Sequence, residues 1–324
     1  MNIAVIGAGL SGLTCANILS QQHQVTVFEK ARGVSGRLST RRSEDLRFDH
    51  GAQFIRARSD VFMAFIDELV DQQIISSWDA RFKEINHGIS SEVKSFKQDN
   101  YVGIPGMNQI GKFLAKTLDV SIDTRIKEVT YKDKMHILTT ENGDVFEHFD
   151  QVIFAIPSDQ LIDLLPANVS FANEIPDFKM RACATLMISD PNLPDFGFDA
   201  CQITGHDLSW LSVNNSKPER GNSPCIVIHS SHDWADQHAF DDRDWMKSHL
   251  LSEAKDLFDY DFSSAKHSNL HVWLYSNIAK VNDAVYYRDE KMNISACGDW
   301  CLRGNVESAY LSGYELAHAL LENS

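Results

Sequence analysis

A chain of 324 residues with 43% apolar and 10% aromatic side chains is long enough for two units, each able to bury a core. Its 30 Lys and Arg against 45 Asp and Glu leave a formal charge of −15, which repels phosphate backbones and anionic headgroups, so neither nucleic acid nor a membrane surface is expected as a partner. No apolar run approaches the roughly 18 residues of a membrane span, and no basic segment precedes the first strand-like run, so a soluble, cytoplasmic protein, a monomer, is expected.

The first element is Asn2–Ile6, a short apolar run of the kind a buried parallel strand shows. Gly7-Ala8-Gly9-Leu10-Ser11-Gly12 follows, then a helical pattern through Leu19, then a second strand over Gln24–Phe28 that ends at Glu29. In this order the glycines have separable tasks. Gly7 permits a tight turn, Gly9 leaves room for a pyrophosphate beside the backbone, and Gly12 lets the helix pack closely on the strand. The helix N-terminus then faces the anion, and Glu29, 17 residues past Gly12, reaches a ribose hydroxyl. Next comes a glycine-and-arginine loop from Lys30 through Gly33, Gly36 and Arg37 to Arg41, suited to lie over the same pyrophosphate. The compact stretch Phe48-Asp49-His50-Gly51-Ala52-Gln53-Phe54 is built to pass a backbone close to a flat ring.

Helices are expected over Val61–Val70 and Gln109–Leu118, and a meander over Arg125–Val129, Met135–Thr140 and Val145–His148, with Glu141 to Asp144 as a turn. Val152 to Pro157 reads as a further buried strand of the first sheet. Strand-like runs then cover Ala182–Ile188, Leu208–Val213, Ile226–His229 and His271–Tyr275, with a helix over Trp245–Phe258. A strand ending near Ala296, then Gly298-Asp299, then a helix from about Asn305 reads as a second strand–turn–helix unit, with a carboxylate and a helix N-terminus at its turn. The six cysteines (Cys15, Cys183, Cys201, Cys225, Cys297, Cys301) have neither zinc nor redox spacing and read as free buried thiols. No metal site is expected: His229-x-x-His232-Asp233 comes nearest to ligand spacing, and a loop after a strand accounts for it.

Glu29-Lys30 followed by Gly33-x-x-Gly36-Arg37 resembles the flavin-containing amine oxidase superfamily. Asp49-His50-Gly51-Ala52-Gln53-Phe54-x-x-Ala57-Arg58 and Cys297-Gly298-Asp299-Trp300-Cys301-x-x-Gly304-x-Val306-Glu307-x-Ala309 are similar, more narrowly, to bacterial renalases. Tyr101 to Met107, Trp210 to Arg220 and His271-x-Trp273-Leu274-Tyr275 carry the likeness across nearly the whole chain. The resemblance implies an α/β fold in two parts. A discontinuous Rossmann-like FAD-binding domain, a parallel sheet with a β-meander, would take residues 1–58, 99–165 and 290–324. An α+β substrate domain with one antiparallel sheet would take 59–98 and 166–289. Together with the readings above it implies non-covalent FAD held by Gly7, Ala8, Gly9, Ser11, Gly12, Glu29, Lys30, Gly36, Arg37, Gly51, Ala52, Gln53, Phe54, Ile126, Ala155, Pro157, Gly298, Asp299, Val306, Glu307 and Ala309.

There is no second Gly-x-Gly-x-x-Gly after residue 60, so electrons enter FAD straight from a substrate, and dioxygen is the expected acceptor, giving hydrogen peroxide. The resemblance implies that this substrate is a 2-dihydro or 6-dihydro isomer of NADH or NADPH, oxidised to β-NAD(P)⁺. It also implies that Arg58 and Asn214 hold the carboxamide while Trp273 covers the ring opposite the flavin. Renalases often have a basic residue where this chain has Val272, which bears on phosphate affinity. Three other functions fit the same motifs: an oxidase of small amines, a desaturase or isomerase of the same fold, and a flavin-binding sensor without turnover.

Overall fold

A computed structural model describes residues 1–95, 99–166 and 168–322. The predicted segment ends at 98 and 324 lie outside the described residues. Asn2–Ile6, apolar on both faces and almost wholly buried, sits inside a six-stranded sheet. The strand order is Asp119–Ser121, Gln24–Phe28, Asn2–Ile6, Gln151–Phe154, Ile294–Ala296, Tyr287–Asp289. Every neighbouring pair is parallel except the last. The helix Leu10–Leu19 packs against the C-terminal helix Val306–Leu321, and a separate meander of Ile126–Lys132, Met135–Thr140 and Val145–Phe149 covers the sheet elsewhere. The fold is therefore the expected mixed α/β one, with a Rossmann-like unit whose strands come from three stretches of chain.

The second sheet runs His267–Ile278, Met180–Ser189, Cys225–Ser230, Leu208–Val213, Ala200–Thr204, Arg81–Asn86, Ile89–Ser90, with Lys94–Ser95 also on Arg81–Asn86. It is not wholly antiparallel as expected. Ala200–Thr204 and Arg81–Asn86 pair in parallel, because the latter strand arrives from the distant 72–95 segment and not by a hairpin. The helix Arg243–Phe258 buries Met246, Leu250, Leu251 and Ala254 against this sheet, and Asp242 caps it by accepting from the Asp244 and Trp245 N–H groups.

Packing shifts one predicted boundary. The helix Asp60–Asp71, which the sequence division places in the substrate unit, packs on the C-terminal helix through Phe62 and Phe65, whose rings lie 5.2 and 4.3 Å from that of Tyr310. One apolar cluster accordingly joins Ile3, Leu13 and Ile153 to Phe62, Trp78, Phe82 and Ala200. The six cysteines are free and buried, as expected. Among the described residues no helix is long and apolar enough to cross a membrane.

Candidate functional site

Phe28, Ile6, Phe154 and Ala296 lie side by side in register at the carboxyl ends of four parallel strands. That edge of an open α/β sheet is where such folds bind their ligands. The turn after Ile6 is forced by contacts a side chain would destroy. A Cβ on Gly7, whose φ is +108°, would meet Ala155 O at 2.5 Å, and one on Gly12 would run into the Gly7 carbonyl. Gly9 is different, for a Cβ there would meet nothing within 4 Å. The space in front of Gly9 is thus open, at the N-terminus of Leu10–Leu19, and the buried Ser11 Oγ beside it has no hydrogen-bond partner. An open backbone, an orphan donor and a helix dipole together fit a pyrophosphate. Glu29 is buried and takes the N–H of Ala8 and of Ala31, both at 2.8 Å, which leaves carboxylate lone pairs for a ribose.

The other cofactor candidates meet around this edge. Gly36 lies against Gly9, and Gly51 against the carbonyl of Arg37, which also accepts from Ala52 N at 3.0 Å. Arg37 Nη1 donates to Asp299 Oδ2 at 2.9 Å, Nη2 also pairs with this carboxylate, and Nη1 reaches Ser276 O at 3.0 Å. Gly298 N donates to Ser312 Oγ, and Ala155 N to Ile6 O. Pro157 caps Ser158–Ile162, while Lys30 Nζ lies on Gln160 Oε1 at 2.9 Å and Ile126 packs beside Ile6 and Phe28. Val306 and Ala309 are half-buried on the first turn of the C-terminal helix. Glu307 Oε1 accepts from the N–H groups of Arg58 and Ser59 and from Ser59 Oγ, tying the start of Asp60–Asp71 to the C-terminal helix.

The loop from Asp49 to Phe54 gathers two of the three predicted substrate contacts. Trp273 Nε1 donates to His50 O at 2.8 Å, and its ring lies 5.2 Å from the His50 imidazole and 4.4 Å from that of His271. Burial, each other's proximity and Arg41 push His50 down to about 4, and burial with Arg41 and Arg243 does the same to His271. His229, 3.3 Å from Gln53 Nε2, is pushed to about 3 by burial and Lys217. The imidazoles around Trp273 are neutral at pH 7. Arg58 is exposed at the start of its helix, with no carboxylate partner among the described residues.

Asn214 is the third expected substrate contact. It is fully buried, its Nδ2 donates to Arg47 O at 2.7 Å and its Oδ1 accepts from Asp49 N at 3.3 Å. The amide is a clamp on the strand Leu46–Asp49 with no exposed surface left for a carboxamide.

Sequence reasoning missed what lies behind that clamp. Asp49, Lys217 and Arg220 all have fully buried side chains. Asp49 Oδ2 accepts from Arg220 Nη2 at 2.7 Å and Lys217 Nζ at 3.3 Å, while Oδ1 accepts from Thr40 Oγ1 and Met107 N. Burial alone would raise the Asp49 carboxyl, and Lys217 and Arg220 outweigh it, holding it below its usual value. Lys217, pushed down to about 8 mainly by burial, also donates to Gln53 Oε1 at 3.1 Å. Both motifs are visible in the chain, but nothing in it pairs positions 168 residues apart. A metal-capable group was also missed: Asp207, His249 and Glu253 have donor atoms within 4.8 Å of one another, already engaged by a 2.7 Å His249–Asp207 contact. In the motif weighed from sequence, His232 is instead bound to Ala182 O.

Residues 5–69 match an NAD(P)-binding Rossmann-like domain model. The 4,4'-diapophytoene desaturase of Staphylococcus aureus is 44% identical over 68 residues, 20% of this chain and only 14% of the desaturase's length. Among solved structures, a protein assigned as a protoporphyrinogen oxidase from Exiguobacterium sp. 255-15 superposes with a TM-score of 0.81 at 10% identity, over 100% of this chain and 99% of its own. A triple mutant of putrescine oxidase gives 0.76 at 12%, again over 100% and 99%. At such identities these structures establish the fold. Residues 74–321, more than half of the chain, match the family model for flavin containing amine oxidoreductases. A flavin carried on a dinucleotide-binding unit is FAD. The chain therefore belongs to the flavin-containing amine oxidoreductase family and is an FAD-dependent oxidoreductase.

Proposed function

We propose that this protein oxidises misreduced nicotinamide dinucleotides, the 2-dihydro and 6-dihydro isomers of NAD(P)H, to β-NAD(P)⁺, and passes the electrons to dioxygen. The observation that carries this reading is the indole of Trp273, pinned at one edge to His50 O on the loop Asp49–Phe54 and surrounded by neutral imidazoles. This is a flat wall without a charged base beside it. A dihydropyridine needs that and little more, since its ring carbon gives up hydrogen with both electrons, becomes aromatic, and no proton has to be removed.

FAD, when bound, supplies the hydride acceptor at its N5. The chain's own residues hold two flat rings face to face at reacting distance and exclude water. Gly9, Ser11 and the helix N-terminus would hold the pyrophosphate, Glu29 the ribose, and Arg37 with Asp299 the remaining phosphate and ribityl contacts. Held non-covalently, the cofactor would leave the protein on unfolding. Arg58, exposed and without an ion pair among the described residues, is the better placed candidate for the carboxamide. The overall balance is one dihydronicotinamide, one dioxygen and one proton to one β-NAD(P)⁺ and one hydrogen peroxide.

The second reading is oxidation of small amines, in keeping with the flavin containing amine oxidoreductase model that residues 74–321 match. Anaerobic stopped-flow mixing of the yellow protein with each dihydronicotinamide isomer, and separately with primary amines, decides between them. Flavin bleaching by the isomers, with β-NAD(P)⁺ released and peroxide on admitting air, is the expected result. Bleaching by amines alone would replace this reading with the second.

A further inference from the structure

Three charged side chains, Asp49, Lys217 and Arg220, are shut away from solvent together, and they do not balance. Arg220 and Asp49 already form a complete pair, with Arg220 Nε and Nη2 both on Asp49 Oδ2 at 3.0 and 2.7 Å. Lys217 is the surplus. The other titratable groups facing it supply no counter-charge: burial pushes the Cys225 thiol up to about 11 and the His229 imidazole down to about 3, so both are neutral at pH 7. The Trp78 ring also lies 5.3 Å from Nζ. A dry ammonium with no anion of its own is costly, and in a fold that needs only the Asp49–Arg220 pair an apolar side chain would be the cheaper occupant.

The geometry gives the ammonium an outlet. Nζ donates to Gln53 Oε1, which also accepts from Ser212 Oγ at 2.7 Å. The other end of that amide, Nε2, donates to Asp49 O at 2.5 Å and Gly51 O at 3.0 Å. Lys217 is thus coupled through one side chain to the backbone of the loop that lies against Arg37 at Gly51 and carries Trp273 at His50. We infer that Lys217 is a positioning residue of the flavin site: through Gln53 it fixes the Asp49–Phe54 backbone, and its unbalanced charge makes the bound flavin easier to reduce. Asp49 is shared between two cations, so one positive charge of the three-residue group is left uncompensated, and the negative charge the cofactor gains on reduction is what it favours.

This inference rests on FAD as the cofactor and not on the identity of the substrate, so it is tested by a property of the holoprotein that involves no substrate. The midpoint potential of bound FAD is measured by equilibration with a reference dye in the wild type, Lys217→Met and Lys217→Arg, together with the dissociation constant of the sulfite adduct. Lys217→Met is expected to lower the reduced-to-oxidised ratio at a fixed potential about tenfold, which is about 30 mV for a two-electron couple, and to weaken sulfite binding in step. Lys217→Arg is expected to restore most of both. A merely structural lysine would change thermal stability and leave the potential and sulfite affinity where they were, and that outcome overturns the inference. If Lys217→Met fails to retain FAD, Gln53→Glu supplies the test: a carboxylate there neutralises the ammonium in place, and an unchanged potential in it refutes the role. Dihydronicotinamides that fail to bleach the flavin while the potential still shifts would remove the proposed reaction and keep this one.

Discussion

At the level of single residues, the buried groups divide by what their removal would leave behind. Asp49→Asn strands two cations, Lys217 and Arg220, in a dry site, and breaking such an arrangement costs about 3–5 kcal/mol. Urea unfolding should show that loss, and a variant as stable as the wild type would mean that the cations find solvent. Asn214→Ala removes the partner of Arg47 O and Asp49 N, each worth about 1–3 kcal/mol when left unsatisfied. Its stability should fall while substrate-dependent flavin reduction keeps its concentration dependence. The opposite result, normal stability with lost substrate affinity, would return Asn214 to the role its sequence neighbours suggested. The sequence could not weigh that role for a physical reason: Asn214-Asn215-Ser216 reads equally as a turn or a binding loop, and only the strand packed on it shows that both ends of the amide already have backbone partners.

Whole elements were more legible. Asn2–Ile6, Gln24–Phe28, Leu208–Val213 and the meander stand where alternation and apolar runs put them, because short periodic segments flanked by glycine or turn residues leave few alternatives. The helix expected over Gln109–Leu118 stops at Ala115, and the strand expected over His271–Tyr275 runs from His267 to Ile278. In the second case tertiary pairing with Met180–Ser189 extends a strand whose polar ends carry no pattern of their own. The parallel partnership of Arg81–Asn86 was likewise invisible, since pairing direction follows from topology and not from side chains. The glycine turn allows a prediction at this scale. Gly9→Val places its side chain in open space, so the protein should fold with normal thermal stability and yet emerge colourless; Gly12→Val, driven into the Gly7 carbonyl, should fail to fold. A yellow Gly9→Val protein would separate Gly9 from the cofactor.

For the molecule as a whole, the neutral imidazoles link stability to pH. His50 and His271 titrate near 4 and His229 near 3 in the folded chain, against an ordinary value of 6.5. The unfolded chain therefore takes up protons first as the pH falls, so the stability present above about 6.5 is lost progressively from there toward about 4. His50, only 5% exposed, should contribute a slope of about 1.4 kcal/mol per pH unit on its own. Unfolding free energies from urea titrations between pH 7 and 4.5 should fall at least this steeply, and less steeply in His50→Phe, which keeps His271 and His229; a flat profile in the native protein would mean that these rings protonate in place.

The strand at the heart of the first sheet is synthesised before every other strand of that sheet. Asn2–Ile6 cannot gain its second neighbour until Gln151–Phe154 exists, and the row is not completed on that side until Ile294–Ala296 leaves the ribosome. At about 5–20 residues per second that is a wait of roughly a quarter of a minute to a minute. For that interval the nascent chain carries an apolar ribbon with one open edge, the kind of surface that chaperones shield. A chain released before Asp299, which Arg37 awaits from the far end, would be expected to aggregate rather than to persist as a half-built holoprotein.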